Sequence, residues 1–448
     1  MSKIRFAVII LAAGEGTRMR SARPKVLHEL AGRPMIRHLV ESVRPLEPMA
    51  TVVVLGRGME AAAKIAAPAK AVIQDPPRGT GDAVRAALEA LPLHAIRDVL
   101  VLFADTPLLR SETLEQLLAA RRLIPEAAVA AAGMRPADPG PYGRLVLSGG
   151  GMLERIVEAK DADAEERAIG LCNGGIMAID ARHLADLVTR IGNDNAKREF
   201  YLTDIVALAR AEGLVCRAAE LPAEELIGVN TRAELADAEA LLQQRLRERA
   251  MAEGATLIAP ETVFFSADTK LGHDVVIEPH VFFGPGVTVA DNARICAFSY
   301  MTDATIGKGA RVGPFARLRP GAVLDADVHV GNFVEVKASR LHAGVKANHF
   351  AYLGDSEVGT GTNVGAGTIT CNYDGYNKHR TTIGENVFIG THTSLVAPVS
   401  VGNGAYVATG SVITADVPPD SLTIARARQV DKPGRAAELR EKLRGRNR

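Results

Sequence analysis

Aliphatic residues recur at every sixth position through much of the second half of the chain. Leu271, Ile277, Phe283, Val289 and Ile295 form one run. Ile306, Val312, Leu318, Leu324, Val330 and Val336 form another, and Ile383, Ile389, Leu395, Val401, Val407 and Ile413 a third. With about a third of residues eligible, six consecutive hits arise by chance on the order of once in a thousand tries. Several such runs in one half of a chain mark a structural repeat. A period of six fits a parallel β-helix, in which three short strands and their turns make one coil and the aliphatic residue points into the prism. Glycine follows the aliphatic residue repeatedly, as in Ile306-Gly307, Val312-Gly313 and Val330-Gly331. The register reads as interrupted twice, over residues 341–352 and 371–382. A solenoid accommodates insertions as projecting loops, where function tends to collect.

The first half has a different grammar. Candidate strands at 6–11, 51–55, 99–103 and 127–131 alternate with helix-like stretches such as 35–43, 81–91 and 112–122. That alternation predicts βαβ units and a mostly parallel, Rossmann-like α/β sheet covered on both faces. Residues 232–253 are rich in Ala, Leu, Glu and Arg with no Pro or Gly, and read as one long helix stopped by Gly254. At 448 residues the chain is too long for one core. The expected organisation is an α/β domain over residues 1–231, a helical linker over 232–253 and a β-helix over 254–448. Lys and Arg total 53 against 52 Asp and Glu, so no basic excess is available to neutralise a nucleic acid or an anionic membrane. Cys172, Cys216, Cys296 and Cys371 are scattered, which disfavours a disulfide framework or zinc site and fits a reducing compartment. The apolar run at the N-terminus is too short to span a bilayer, and a soluble, cytoplasmic protein is expected.

That run reads as a buried strand entering a glycine turn, Leu11-Ala12-Ala13-Gly14-Glu15-Gly16-Thr17-Arg18-Met19. Glycines at a strand-to-loop turn let backbone N–H groups approach phosphate oxygens. The spacing is not that of a P-loop, and Met19 fills the third glycine position of a dinucleotide fingerprint. Pro24-Lys25 follows, a stiff backbone carrying a mobile cation suited to phosphate. Asp105 ends a strand, where open α/β sheets bind ligands, and a hard carboxylate there suits Mg²⁺.

The composite of glycine turn and Pro24-Lys25 is similar to the signature of sugar nucleotidyltransferases. Further matches follow in chain order: Gln74, Gly79-Thr80, Asp105, Tyr142-Gly143-Arg144, Glu158, Asn173, Tyr201-Leu202-Thr203-Asp204 and Gly228-Val229-Asn230. The hexads in turn resemble those of left-handed β-helices. Together they resemble the family of bifunctional UDP-N-acetylglucosamine pyrophosphorylase/glucosamine-1-phosphate N-acetyltransferases, over about residues 5 to 430. The resemblance implies UMP transfer from UTP to N-acetylglucosamine 1-phosphate in the first domain. Leu11, Ala12, Ala13, Gly14, Gln74, Gly79 and Thr80 would hold the nucleoside, Lys25 and Arg18 the phosphates, and Gly143, Glu158 and Asn173 the sugar. Asp105 and Asn230 would bind Mg²⁺.

In the second domain it implies acetylation of glucosamine 1-phosphate by acetyl-CoA, with His349 as the base. Arg319, Lys337, Tyr352 and Asn363 would hold the sugar phosphate. Ala366, Asn372, Tyr373, Thr391, Thr409 and Arg426 would contact acetyl-CoA. A homotrimer, with sites between neighbouring prisms, is implied as well, and neither nucleic acid nor membrane as partner. Four positions depart from the family's pattern: Ala104 for Gly, Asp82 for His, Thr391 for Ser and Thr409 for Ala. Competing readings are a monofunctional nucleotidyltransferase with a structural or regulatory β-helix and a non-catalytic scaffold; a hydratase with a histidine-bound metal is disfavoured, because His329, His342 and His349 stand at the wrong phases for one cluster. The basic, helix-prone stretch 432–448 is either a tail or a segment packed near the acetyl site.

Overall fold

The computed structural model describes residues 5–14, 16–195 and 198–444. It divides into two compact units, Met1–Leu246 and Arg247–Arg448. Among the described residues, no helix is long and apolar enough to cross a membrane.

In the first unit a nine-stranded sheet has the order Cys216–Glu220, Val129–Met134, Cys172–Asp180, Asp98–Phe103, Phe6–Ala12, Ala50–Leu55, Lys70–Ile73. Only Cys172–Asp180 runs antiparallel to its neighbours along that path; the short strands Arg144–Leu147 and Leu153–Val157 extend it as a hairpin. All seven residues of Phe6–Ala12 are buried, as a strand covered on both faces requires. Its alternate side chains feed two separate cores, Val8 and Ile10 on one face, Ala7 and Ile9 on the other. Leu11 pairs with Phe103 and Ala12 with Leu55, so these parallel strands end together and deliver their loops to one edge of the sheet. That alignment builds the first site.

The sequence expectations need small corrections here. The strand expected at 127–131 lies at Val129–Met134, and the helix expected at 81–91 is Thr80–Ala87 followed by a short 3-10 turn, Leu88–Ala90. The edge strands Lys70–Ile73 and Cys216–Glu220 went unforeseen because both carry charged or exposed residues that mask the apolar signal. The long helix Arg232–Ala252 begins on a reciprocal cap. Glu234 N–H donates to Thr231 Oγ1 at 3.2 Å while Glu234 Oε2 accepts from Thr231 N–H at 2.7 Å. Its first turns are more than a connector, since Ala238 packs in a small core with Leu30, Met35, Leu108 and Val229.

The second unit is a prism of three parallel sheets of ten, eight and eight strands. Ile277 pairs with Ile295 and Phe283 with Met301, eighteen residues on in each case, which is one coil. Every periodic aliphatic residue named above is buried except Leu271, which is half-buried at the start of the prism. At one corner His280, Phe298, Phe315, Phe333 and Phe350 all take left-handed backbone angles (φ 48 to 60°). Their rings stack 4.9 to 5.2 Å apart, which helps offset a conformation that bulky residues disfavour.

The apparent interruption over 341–352 is a regular coil. Ala347 takes the inward position six residues from both Leu341 and Leu353, all three fully buried; a small residue fills the slot without an aliphatic signal. His349 therefore lies on a strand, Lys346–His349, rather than on a loop. The second interruption is real. Ser356 pairs with Thr381, twenty-five residues on, so extra chain leaves the coil between the strands Ile369–Cys371 and Thr381–Ile383. The helix Arg435–Arg444 near the C-terminus has no buried residue.

Candidate active sites

The loops at the sheet edge of the first unit enclose a cleft of about 1080 Å³. Of the residues expected there, Leu11, Ala12, Ala13, Gly14, Lys25, Gln74, Gly79, Thr80, Asp105, Glu158 and Asn173 line it. Two glycines owe their place to sterics. Gly16 has φ 64°, and a Cβ there would lie 2.5 Å from Lys25 Cβ, so its bareness lets the lysine stem enter. Gly79 has φ 114°, and a Cβ would lie 2.6 Å from the Phe200 carbonyl oxygen. Phe200 N–H donates to Arg78 O and Gly81 N–H to Phe200 O, which clamps that loop.

Lys25 Nζ stands 2.5 Å from Asp105 Oδ2 and 3.0 Å from Asn230 Oδ1. Asp105 and Asn230 are brought together by Val229 N–H donating to the Asp105 carbonyl at 2.8 Å. Asn230 N–H is in turn held by Glu234 Oε2, on the cap of the long helix. The ammonium marks a point on which two hard oxygens converge, as a cation site requires. Asn230 touches Lys25 but does not itself line the cleft. Gly143 is also set back, its carbonyl accepting from Asn173 N–H at 2.8 Å, and Arg18 projects exposed from the turn Thr17–Met19. Thr80 Oγ1 is engaged by Leu202 N–H.

Sequence reasoning missed Lys160, which lines the cleft together with Tyr201, a residue of the matched stretch 201–204 to which the resemblance assigns no role. Lys160 Nζ donates to Tyr201 Oη at 3.0 Å, and that bond holds the lysine pKa above its usual range. Their separation of 41 residues gave no signal.

In the second unit, adjacent coils lay the candidates side by side. His349 pairs in register with Asn332, and His349 Nδ1 lies 2.6 Å from Asn332 Oδ1. With the amide oxygen as acceptor, Nδ1 carries the proton and Nε2 keeps a lone pair. On the next face Arg317 pairs with Glu335 and Glu335 with Tyr352, while Lys337 pairs with Gly354. Arg319 Nη1 donates to Glu335 Oε1 at 2.8 Å. Neither Asn332 nor Glu335 was foreseen.

The inserted loop closes on this row. Asn372 Nδ2 donates to Asp355 Oδ2 at 2.5 Å and lies 3.5 Å from Tyr352 Oη. Lys378 reaches Lys337, whose hydrogen-bonding contact and charge push the Lys378 pKa down. Two gathered ammonium groups favour an anion between them. Asn363 is on the other face, in register with Lys346. Ala366, Thr391, Thr409 and Arg426 fall one per coil: Ala366 O accepts from His392 N–H and Thr391 O from Gly410 N–H, and Gly410 approaches Arg426. Tyr373, Thr409 and Arg426 are exposed. The structure thus spreads the acetyl-site candidates over two faces and an edge. His342 stands apart, its ring between Asp325 and Glu357.

Residues 8–188 match the MobA-like NTP transferase domain, and residues 380–415 match the bacterial transferase hexapeptide repeat. With three parallel sheets, those hexapeptides make the second unit a left-handed β-helix. Bifunctional protein GlmU of Paramagnetospirillum magneticum is 55% identical over 440 residues, 98% of each chain. That of Azorhizobium caulinodans is 55% identical over 444 residues, again 98% of each. That of Sphingopyxis alaskensis is 52% identical over 439 residues, 98% of this chain and 97% of its own. With more than half of its residues shared along nearly the whole of these chains, the protein belongs to the GlmU family of bifunctional UDP-N-acetylglucosamine pyrophosphorylases/glucosamine-1-phosphate N-acetyltransferases.

Proposed function

We propose that the second unit acetylates glucosamine 1-phosphate with acetyl-CoA and that the first then transfers UMP from UTP to the product. The products are UDP-N-acetylglucosamine and pyrophosphate. What carries this reading is the presence, on separate units, of two chemically distinct sites. One is an oxygen pair on a cation beside a glycine turn; the other is an imidazole tied through Nδ1 on one face of the prism, with cationic side chains on the strands of another face.

In acetyl transfer, His349 Nε2 takes a proton from the sugar ammonium, so that the free amine attacks the thioester carbonyl and CoA thiolate leaves. Asn332 keeps the ring in the tautomer this needs. Arg319, Lys337 and Lys378 hold the phosphate, Tyr352 and Asn363 the sugar. Asn372 and Tyr373, with Ala366, Thr391, Thr409 and Arg426, take acetyl-CoA. Because these groups occupy two faces and an edge, largely exposed, we take the working form to be a homotrimer in which neighbouring copies complete each site.

In uridylyl transfer, a phosphate oxygen of N-acetylglucosamine 1-phosphate attacks the α-phosphorus of UTP, and the bond to pyrophosphate breaks. Such a step asks for alignment and charge neutralisation rather than a covalent nucleophile. The turn from Leu11 to Gly14, with Gln74, Gly79 and Thr80, seats the nucleoside. Lys25, aided by Arg18, neutralises the triphosphate, while Glu158 and Asn173 take the sugar, with the Gly143 carbonyl, outside the cleft lining, holding Asn173. Asp105 and Asn230 fit a divalent cation, Mg²⁺ in this reading, whose charge would offset that of the phosphates. A cytoplasmic setting is consistent with four free cysteines.

Incubation with glucosamine 1-phosphate, acetyl-CoA, UTP and Mg²⁺ should yield UDP-N-acetylglucosamine by mass detection. With a chelator, the reaction should stop at N-acetylglucosamine 1-phosphate. A protein that uridylylates but never acetylates would instead be the monofunctional nucleotidyltransferase with a structural β-helix.

A further inference from the structure

Gln74 follows the edge strand Lys70–Ile73, is 4% exposed and lines the first cleft. Its amide nitrogen donates to the Gly79 carbonyl at 3.0 Å and to Asp82 Oδ2 at 2.9 Å. An amide has two N–H groups, so both are spent on the protein. Turning the carboxamide over would set Oε1 against a carbonyl oxygen and a carboxylate oxygen, two repulsive contacts in a nearly buried place. Asp82 is the stronger restraint, because its bond is charge-assisted. It sits in the first turn of the helix Thr80–Ala87, 7% exposed, with its other oxygen accepting from Arg78 Nη2 at 3.2 Å. Among the described residues Gln74 Oε1 has no hydrogen-bond donor, so Gln74 offers a cleft ligand an acceptor alone.

We infer that Asp82 is a positioning residue for base selection. By fixing the Gln74 carboxamide with its oxygen toward the base, it selects a pyrimidine nucleotide whose ring N3 carries a hydrogen, as uracil's does. Cytosine carries a lone pair at N3 and meets the same oxygen with repulsion. The inference rests on the reading above, that the cleft binds a nucleotide with Gln74 facing the base.

The test measures kcat/KM with UTP and with CTP for the full-length protein and for Asp82→Asn, Arg78→Ala and Gln74→Leu. In Asp82→Asn the guanidinium of Arg78 claims the new amide oxygen and turns its NH2 toward Gln74, opposing the Gly79 restraint. The UTP-to-CTP preference should fall about tenfold, roughly one hydrogen bond's worth. Arg78→Ala, at an exposed side chain, loosens Asp82 without removing it and should lower the preference by about two- to threefold. A loss shared equally by UTP and CTP, or a preference left intact in both variants while Gln74→Leu lowers it, overturns the role of Asp82. A preference intact in Gln74→Leu overturns the base contact itself, and the inference with it.

Discussion

In the first unit Lys25 meets Asp105 across 80 residues of chain and Asn230 across 205, whereas in the second His349 meets Asn332 across 17. Both sites are read as holding a phosphate-bearing sugar, yet one is assembled from loops and the other from register. The sheet edge brings distant turns to a common wall and closes a cleft of about 1080 Å³ around them. The prism sets residues one coil apart side by side in the open, as with Arg317, Glu335 and Tyr352. A loop-built site can exclude water and select its ligand by shape; a register-built row places charges at a fixed pitch and leaves enclosure to something else.

The largest expected effect tests whether the two sites are independent. His349→Ala should slow thiol release from acetyl-CoA by about a thousandfold, the worth of a general base, with pyrophosphate release unchanged. Asp105→Ala should reverse that pattern, lowering pyrophosphate release by a hundredfold or more, roughly the worth of one preorganised electrostatic contact. Loss of both activities in either folded variant would break the division of labour.

Two intermediate effects contrast the ways of building. Asn332→Ala removes a neighbour set by register alone, and kcat for acetyl transfer should fall about tenfold while the KM for acetyl-CoA holds. Gly79→Ala forces a Cβ against the Phe200 carbonyl and should destabilise the first unit by about 1–3 kcal/mol. Calorimetry should then show a lowered first transition beside an unmoved second one.

The smallest effect lies in the inserted loop. Asp374 is held well below the usual carboxylate range by the Asn377 N–H first, then by the His379 ring and the Tyr376 N–H. A depressed folded-state pKa gives stability that is complete above the ordinary aspartate value and is lost as pH falls through the depressed one. Amide protection at Tyr376 and Asn377 should therefore persist as pH falls through about 4. Asp374→Ala should speed exchange there about fivefold at neutral pH. Protection vanishing near the ordinary aspartate value would show that the loop lacks this turn.

How far each site was legible follows the same contrast. A period of six announces a coil directly, because pairing in a parallel β-helix repeats at constant offset. It misled only where Ala347 filled an inward slot without an aliphatic signature, which turned a regular strand into an expected interruption. The glycine turn with Pro24-Lys25 was legible as a phosphate motif, since Gly16 and Lys25 are close in the chain as well as in space. Lys160 against Tyr201, Lys378 against Lys337 and Gln74 locked by Asp82 had no such local cue.

The chain by itself determined its two architectures, from six-residue and strand–helix periodicity, and the family to which its motifs belong. Only the tertiary structure decided that Asp105 and Asn230 converge on the Lys25 ammonium, that His349 leans on Asn332 and that the Gln74 amide nitrogen is held by Gly79 and Asp82. Periodicity reports what a residue must do for its own element. Hydrogen bonds and ion pairs between elements depend on distances of a few tenths of an ångström, which backbone packing sets.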